Sequence, residues 1–380
     1  MPSNSVSVSQ RCMSASRAEA HPDRADLKPG PYSVTGLSQV PLEAAHRGLP
    51  DSADPCCLDH AARDDAAAAG GAHTMNVFNR LETRDCPVCG AGADRAALFL
   101  EASFDPARLT TASFASRKVP EFMSYRLLRC AGCETVYASA APPAEALAHS
   151  YSHADYDSGE EAALAADTYI AALAPAIAAL PRRGRALEIG TGTGVLLERL
   201  LEAGFDDVVG IEPSSAAIAA AAPSVRGLIR EGVFAEADFE PASYDLICCF
   251  QTLEHVPDPR ALARSCARLL RPGGMLALVT HDYAAPLNRL LGRRSPIIDI
   301  EHLQLFCRPS LDRLLHDAGV RPREIRALVN RYPLRYWLRL TPLPKGLKRV
   351  VGGLLGVTGL DRVLFGINVG NLLAIGCKPC

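Results

Sequence analysis

The sequence predicts an α/β protein in which a mostly parallel, doubly wound sheet follows a small cysteine-rich module. Apolar runs alternate with helical patterns between residues 185 and 280, which is typical of parallel strands joined by helices. A glycine-rich turn spans residues 190–194, after the first of these runs. Two C-x-x-C pairs, Cys86 with Cys89 and Cys130 with Cys133, precede the sheet. These three observations predict a ligand-binding sheet behind a metal-binding module.

The glycine turn joins the apolar run 185–189 to a helical pattern that begins at Val195. Glycine suits such a turn because it adopts positive φ and because a side chain would keep a ligand away from the backbone. The N–H groups of the first helical turn then face the ligand. A dinucleotide fingerprint that starts at Gly190 would need a small residue at Val195, so the pattern departs from that fingerprint.

A second buried strand, residues 208–212, ends in Glu212, 22 residues beyond Gly190. A carboxylate at the end of this strand can accept hydrogen bonds from both ribose hydroxyls of a bound nucleoside. Pro213 follows, and a helix capped by Ser214 comes next. The segment 227–229 is predicted as a third short strand.

A fourth strand is predicted at residues 244–250, followed by the sequence Gln-Thr-Leu-Glu-His-Val-Pro-Asp-Pro at 251–259. An amphipathic helix (260–270), a Pro-Gly-Gly breaker (272–274) and a fifth strand (275–280) come after it. In such a sheet, ligands bind at the carboxyl ends of the strands. The turn that contains Glu254 and His255 is therefore expected beside the ligand.

These motifs resemble those of the class I S-adenosylmethionine-dependent methyltransferases over residues 184–320. Glu-x-Gly-x-Gly-x-Gly at 188–194 resembles motif I, and residues 244–280 resemble the motifs that follow it. The resemblance implies a Rossmann-like sheet of seven strands, the last of them antiparallel, at 371–375. It also implies that S-adenosylmethionine is the cofactor, with Phe234 near the adenine. The cofactor-binding residues expected on this basis are Glu188, Gly190, Thr191, Gly192, Gly194, Glu212, Pro213, Phe234 and Gln251.

Two groups within this family share further features with the chain. Ubiquinone-type O-methyltransferases carry Glu-x-x-Glu-His after strand four and are associated with a divalent metal there. Gln251 occupies the first position here, and an amide oxygen is a weaker ligand than a carboxylate, so the use of such a metal stays open. Sugar C-methyltransferases join a cysteine module to the same core, but they carry a long C-terminal domain that this chain lacks. The acceptor is expected to be a small molecule or a sugar or glycan.

The two cysteine pairs predict a structural zinc site in a zinc ribbon. Four thiolates in two C-x-x-C pairs suit tetrahedral zinc and leave no open position for water or substrate. The intervening loop of about 40 residues is long, but the cost of closing a loop grows only slowly with its length. Alternatives are four unrelated buried thiols or a redox pair. The metal ligands expected are Cys86, Cys89, Cys130 and Cys133.

Histidines near the predicted carboxyl ends of the strands are the candidates for catalysis. His255 is expected to take the acceptor's proton, because an imidazole with a pKa near 6.5 is suited to that task at neutral pH. His302, in the stretch Glu-His-Leu-Gln-Leu-Phe at 301–306, and the residues 281–283 are further candidates. Each of these residues alternatively has a structural role. The polar segment 151–157 is expected to form either a lid over the cofactor or a simple linker.

The segment 331–362 combines basic residues with Tyr, Trp and Leu, and Asp361 is its only acid. Such an amphipathic insertion suits peripheral contact with an anionic membrane or with a lipid-linked acceptor. Covering the sheet or forming a dimer contact are the alternatives. No signal sequence and no uninterrupted apolar stretch of about 18 residues is evident, so a cytoplasmic protein is expected, with contact at the inner face of the membrane as an option.

The chain is 380 residues long with a formal net charge of −2, which gives no bulk attraction to nucleic acid. Residues 1–74 lack periodicity and are predicted to be disordered, or to be an extension before a start at Met75. A zinc-ribbon module at 75–150 and a methyltransferase domain at 151–380 follow. The competing hypothesis is a zinc-ribbon nucleic-acid-binding protein that methylates RNA or only binds it.

Overall fold

The computed structural model describes residues 80–109, 111–114, 121–156, 159–340 and 343–380. These residues belong to one compact unit, Cys56–Cys380. The predicted extension 1–74, Met75 and Asp157 lie outside the described residues.

Strands and helices alternate along the second half of the chain, as the sequence predicts. The strands are β1 (Glu82–Thr83), β2 (Ala96–Leu100), β3 (Leu127–Cys130), β4 (Val136–Ala138), β5 (Ala140–Ala141), β6 (Arg185–Ile189), β7 (Asp207–Glu212), β8 (Ile229–Glu231), β9 (Tyr244–Phe250), β10 (Leu270–His281), β11 (Gln304–Leu305), β12 (Arg321–Pro333) and β13 (Leu364–Cys377). The α-helices are α1 (Ala144–Ser152), α2 (Gly159–Ala178), α3 (Val195–Glu202), α4 (Ser215–Ala220), α5 (Pro223–Arg226), α6 (Pro259–Leu269), α7 (Pro286–Leu291), α8 (Arg308–Asp317), α9 (Leu334–Leu340) and α10 (Lys345–Thr358).

The main sheet has seven strands in the order β12-β13-β10-β9-β6-β7-β8. Strands β10, β9, β6, β7 and β8 are parallel to one another, whereas β13 is antiparallel to both β10 and β12. The predicted seven-stranded, Rossmann-like sheet with an antiparallel last strand is therefore confirmed.

Both faces of the central strands of the main sheet are buried, which explains why these strands read as apolar runs. Leu187 and Ile247 pack with helices α6 and α8 on one face. Their neighbours Ala186 and Leu246 pack with α2 and α3 on the other. Successive side chains point to opposite faces of a strand, so the alternation produces two core layers. Three cysteines, Cys248, Cys249 and Cys266, are fully buried in these layers.

A second, four-stranded sheet has the order β11-β4-β3-β2. Strands β2, β3 and β4 form an antiparallel meander that carries Cys130 at the end of β3 and Cys133 in the turn to β4, whereas Cys86 and Cys89 lie in the turn that precedes β2. Strand β11 comes from far along the chain and pairs Gln304 with Tyr137 and Leu305 with Val136. The sheet of the cysteine module is thus completed by a strand from beyond residue 300, and the boundary between residues 150 and 151 remains a prediction.

Helix α2 has the length and apolar composition of a membrane span over Glu161–Ala178. No other helix in the described parts of the chain passes this test. Its residues Ala166, Tyr169, Leu173 and Ile177 recur at helical spacing and are buried against the sheet. Helix α2 therefore packs this apolar face against the protein core, as an amphipathic helix of a folded domain does.

Candidate active-site cleft

A cleft of about 1560 Å³ lies at the carboxyl ends of strands β6, β7 and β9. Eight of the nine residues that were expected to bind the cofactor border it. The ninth, Gly194, lies at the N-terminal cap of helix α3. The chain reverses its strand order beside β6, and this is where open α/β sheets bind ligands.

The glycine turn has the backbone conformation that its sequence predicts. Gly190, Gly192 and Gly194 have φ angles of 77°, 56° and 74°, in the left-handed region that favours glycine. A Cβ atom at Gly190 would lie 2.1 Å from Oγ1 of Thr252, so a side chain has no room there. A Cβ atom at Gly192 would meet no protein atom within 4 Å, because that side of the backbone faces the cleft. Gly192 is therefore the point where a ligand can touch the backbone.

Glu212 holds the glycine turn as well as facing the cleft. Its Oε2 accepts a hydrogen bond of 2.8 Å from the N–H of Gly192, and its Oε1 accepts one of 2.9 Å from Ser214. A carboxylate has about four lone-pair sites, so acceptor capacity remains for the ribose hydroxyls. Burial raises the pKa of this carboxyl group. The hydrogen bond between Glu212 and the glycine turn was not evident in the sequence, because 20 residues separate Glu212 from Gly192.

Glu188 lies deeper, at the end of β6, and its side chain is buried. The hydroxyl of Thr191 donates a hydrogen bond to its Oε2. Burial raises the pKa of the Glu188 carboxyl to about 8, which leaves it mostly protonated at neutral pH. A cationic ligand group beside it would favour the ionised form.

Phe234 and Gln251 border the cleft from two other strand ends. The ring of Phe234 stacks on Phe239 at a centroid distance of 5.6 Å and an interplanar angle of 20°. Gln251 has a φ of 50°, unusual for a residue other than glycine. Its Oε1 is buried and accepts no hydrogen bond from the residues that the structure describes. A strained backbone with an unsatisfied amide oxygen is typical of a ligand-binding position.

Three histidines meet at the far side of the cleft. The ring centroids of His255 and His302 are 4.9 Å apart, and those of His281 and His302 are 5.2 Å apart. Nδ1 of His302 lies 2.9 Å from the carbonyl oxygen of Ile297, and Nδ1 of His255 lies 3.1 Å from that of Glu301. A carbonyl oxygen only accepts, so in both neutral rings Nδ1 carries the proton and Nε2 is the basic nitrogen. The structure thus brings together both histidines that the sequence singled out.

His281 is a weaker base than an ordinary histidine side chain. Burial lowers its pKa to about 4, although the hydrogen bond of Nδ1 to Oδ1 of Asn371, 3.1 Å long, opposes the shift. Of the other two candidates in 281–283, Asp282 accepts a hydrogen bond from the N–H of Ala284. The Tyr283 hydroxyl donates to the carbonyl of Glu134 in the cysteine module. These contacts give both residues a structural role.

Glu254 supports the histidine cluster from beneath. It is fully buried, and its Oε1 accepts a 2.6 Å hydrogen bond from the N–H of His281. Its Oε2 has no partner among the described residues, and burial raises its pKa to about 7. The side chain of Glu254 reaches strand β10 and not the neighbouring His255. The two residues are 27 positions apart along the chain, so no local sequence pattern indicates this contact.

The polar segment before the main sheet, which was expected to be either a lid or a linker, borders the cleft. The Tyr151 hydroxyl lies 3.1 Å from Nδ1 of His255, and the Tyr156 hydroxyl lies 3.4 Å from Oγ1 of Thr193 in the glycine turn. The Ser214 hydroxyl donates to the carbonyl of Ala154. This segment therefore touches both the expected cofactor side and the histidine side of the cleft.

The four predicted zinc ligands form one cluster, with all four Sγ atoms within 4.8 Å of one another. Cys86 lies 3.5 Å from Cys133, and Cys89 lies 3.5 Å from Cys130, measured between Sγ atoms. Zn–S bonds of about 2.3 Å in a tetrahedron place the sulfurs at similar separations. No other group of three or more His, Cys, Asp or Glu side chains within the described ranges is as close. The donor set and its geometry fit zinc.

Comparison with known proteins connects the cleft to a family. Residues 159–325 match the family described as a methyltransferase domain. The ubiquinone biosynthesis O-methyltransferase of Pectobacterium carotovorum is 31% identical over 159 residues, which cover 40% of this chain and 62% of that protein. The enzyme of the same name from Neisseria meningitidis serogroup A is 37% identical over 103 residues, covering 25% and 43%. The chain therefore spans less than two thirds of the length of these curated relatives.

Solved structures are similar at lower identity. An S-adenosylmethionine-dependent methyltransferase of Methanosarcina mazei is 21% identical, with a TM-score of 0.37, and the match covers 54% of this chain and 97% of that one. Phosphoethanolamine N-methyltransferase 2 of Haemonchus contortus, solved with S-adenosyl-L-methionine, is 18% identical, with a TM-score of 0.36 and coverage of 56% and 52%.

Proposed function

We propose, from the premise that this chain carries a class I S-adenosylmethionine-dependent methyltransferase domain, that it transfers a methyl group from S-adenosylmethionine to a small-molecule or glycan acceptor in the cleft. The observation that carries the proposal is the glycine turn. The open side of the turn, at Gly192, faces the cleft beside Glu212. In this family the backbone of the glycine turn contacts the cofactor, and a carboxylate placed like that of Glu212 binds its ribose.

S-adenosylmethionine would lie across the ends of β6, β7 and β9. Gly190, Gly192 and Thr191 would contact its amino-acid part, with the buried Glu188 beneath. Glu212 would accept the ribose hydroxyls, and Phe234 would pack beside the adenine. The cationic cofactor would stabilise the ionised form of Glu188, whose pKa burial raises.

The acceptor would occupy the remainder of the cleft, between the histidines and the apolar wall. Phe114, Leu147, Leu291, Ile297 and Trp337 line this part. Such a wall suits an acceptor with an apolar portion, including a sugar unit carried on a lipid. A polar head group would then reach His255 and His302.

Methyl transfer is an in-line displacement in which the acceptor atom forms a bond to the methyl carbon while the sulfur–carbon bond breaks. The cofactor leaves as S-adenosylhomocysteine, and the acceptor loses one proton. We assign that proton to Nε2 of His255 or of its neighbour His302, the basic nitrogens of the two rings. The protein otherwise positions the two substrates.

The cysteine cluster is proposed to hold one structural zinc through Cys86, Cys89, Cys130 and Cys133. None of the four borders the cleft, which agrees with a structural rather than a catalytic metal. Strand β11 links the zinc module to the segment that carries His302.

We propose a cytoplasmic location, with peripheral contact at the inner face of the membrane through residues 331–362. Methylation of RNA by a zinc-ribbon protein remains the competing hypothesis, and the near-neutral net charge argues against it.

The deciding experiment incubates the purified chain and a metabolite and lipid extract with S-adenosylmethionine labelled on its methyl group. Mass spectrometry should find the label in a small molecule or lipid-linked sugar. Label in RNA instead, or tight binding of NADH with no binding of S-adenosylmethionine, would refute the proposal.

A further inference from the structure

Helix α10 exposes its apolar face to solvent. Leu347, Val350, Leu354 and Val357 recur at helical spacing and are 47%, 60%, 66% and 90% exposed. In a helix that packs on a core this stripe would face inward. Here it faces outward over three turns of the helix, so it needs a partner that the described chain does not supply.

Two further segments extend this apolar face around the mouth of the cleft. Helix α7 exposes Leu290 at 83%, and the first residues of β13, Leu364 and Phe365, are about half exposed. The segments are tied together through β13. The amide of Asn288 on α7 donates to the carbonyl of Val369, and the indole of Trp337 on α9 donates to that of Phe365. We call α7, α9, α10 and residues 360–365 the rim.

The rim borders the opening of the cleft. Leu287 and Leu291 of α7, Trp337 of α9 and Lys348 of α10 all line it. The apolar interior of the cleft therefore continues directly into the exposed apolar face of the rim.

The charge of the rim is one-sided. Over residues 286–294 and the described part of 331–365, Asp361 is the only acid. The exposed basic residues there are Arg289, Arg293, Arg294, Arg331, Arg335, Arg349 and Arg362. Exposed apolar side chains flanked by arginines are the pattern of a surface that lies in the headgroup region of an anionic bilayer.

We infer that the rim docks on an anionic lipid bilayer, with the mouth of the cleft toward the lipid. The inference extends the proposed membrane contact from residues 331–362 to α7. Only the identity of the molecule that enters the cleft rests on the proposed function. A second copy of the chain is a poorer occupant. A two-fold contact through the rim would set one row of arginines against another, without acids to pair with them.

The test is co-sedimentation of the purified full chain with vesicles. Vesicles of equal parts phosphatidylcholine and phosphatidylglycerol should retain the protein, phosphatidylcholine alone should retain it at least about tenfold less, and added salt should release it. The double variant Leu354→Glu/Val357→Glu should lower binding to the anionic vesicles by about tenfold or more. Leu290→Glu should also lower it, and this arm tests the extension to α7.

The matched control is Leu98→Glu in strand β2, which changes a leucine that is 49% exposed in the cysteine module. It should bind the vesicles like the unmodified chain. Calorimetry should show the same S-adenosylmethionine affinity in all variants, so a failure of the proposed function appears there and not in the sedimentation. Equal binding to neutral and anionic vesicles, no binding to either, or a chain that is dimeric until Leu354 and Val357 are replaced would each overturn the inference.

Discussion

At the scale of single residues, Gly192 offers the sharpest test of the cofactor site. Gly192→Val places a side chain in space where the protein has no atom within 4 Å but the cofactor is expected. The positive φ adds a strain of about 1–2 kcal/mol. Calorimetry should therefore detect no S-adenosylmethionine binding, while circular dichroism shows a folded protein with a slightly lower melting temperature.

Gly319→Val is the matched control for that variant. Gly319 has a φ of 79° and also open space around its Cα, but it lies after helix α8, away from the cleft. It should lose similar stability and keep its affinity for S-adenosylmethionine. If both glycine variants bind the cofactor equally well, the cofactor is not where we place it.

His255 is the residue on which the chemistry is expected to depend most. His255→Ala removes one of the two basic Nε2 nitrogens at the cleft, so turnover with the true acceptor should fall by about two orders of magnitude. The affinity for S-adenosylmethionine should stay nearly unchanged, as calorimetry would show. His316→Ala, at an exposed position on α8, is the control. Normal turnover in His255→Ala would transfer the role to His302.

Sequence reasoning found these residues because their signals are local. Glycines at alternate positions and a polar run after an apolar strand can be read without knowing the fold. Glu254 was harder to interpret, since its buried carboxyl group meets the backbone of His281 and not the neighbouring His255. A contact of this kind depends on how two parallel strands align, which a single sequence does not determine.

At the scale of secondary-structure elements, the short strand β11 has the largest effect on the site. The Gln304 amide donates hydrogen bonds of 2.7 Å and 2.9 Å to the carbonyls of Leu253 and Val256, on either side of Glu254 and His255. Its Oε1 accepts from Arg84 in the cysteine module. The buried side chain of Gln304 therefore fixes the turn that contains Glu254 and His255 relative to strand β11, which follows His302.

Gln304→Glu should break this arrangement without changing the volume of the side chain. It replaces the donor with an acceptor that faces two carbonyl oxygens, so thermal or denaturant unfolding should show a loss of about 1–3 kcal/mol. Unfolding at the same denaturant concentration as the unmodified chain would show that the turn does not depend on Gln304. No local sequence pattern indicates this link, because the partners of Gln304 are about 50 and 220 residues away.

The zinc site is a second prediction at this scale. Protein purified without chelators should contain about one zinc per chain, and Cys89→Ser should lose it and lower the melting temperature. Cys380→Ser, at the exposed C-terminal cysteine, should keep the metal. Metal analysis by mass spectrometry decides the question, and protein with no bound metal would contradict the assignment.

At the scale of the whole molecule, the alternation of strands and helices was sufficient to predict the parallel strands of the main sheet, whereas the count of seven strands came from the family resemblance and β12 was not located from the sequence. The central parallel strands β6, β7 and β9 are buried on both faces and form recognisable apolar runs, whereas the edge strand β8 is largely exposed. The rim was predictable only as a basic and apolar segment. Whether such a segment covers the sheet or faces solvent depends on where the chain places helix α10, and the structure shows its apolar stripe exposed.

Strand β11 also determines how the chain can be divided. Cutting it after residue 150 would leave β4 with an open edge, because the strand that pairs with Val136 and Tyr137 would stay on the other fragment. An exposed strand edge promotes aggregation. The cysteine module therefore cannot be deleted, or exchanged between related enzymes, as a separate unit. A chimaera that keeps the module folded must carry residues 303–306 as well.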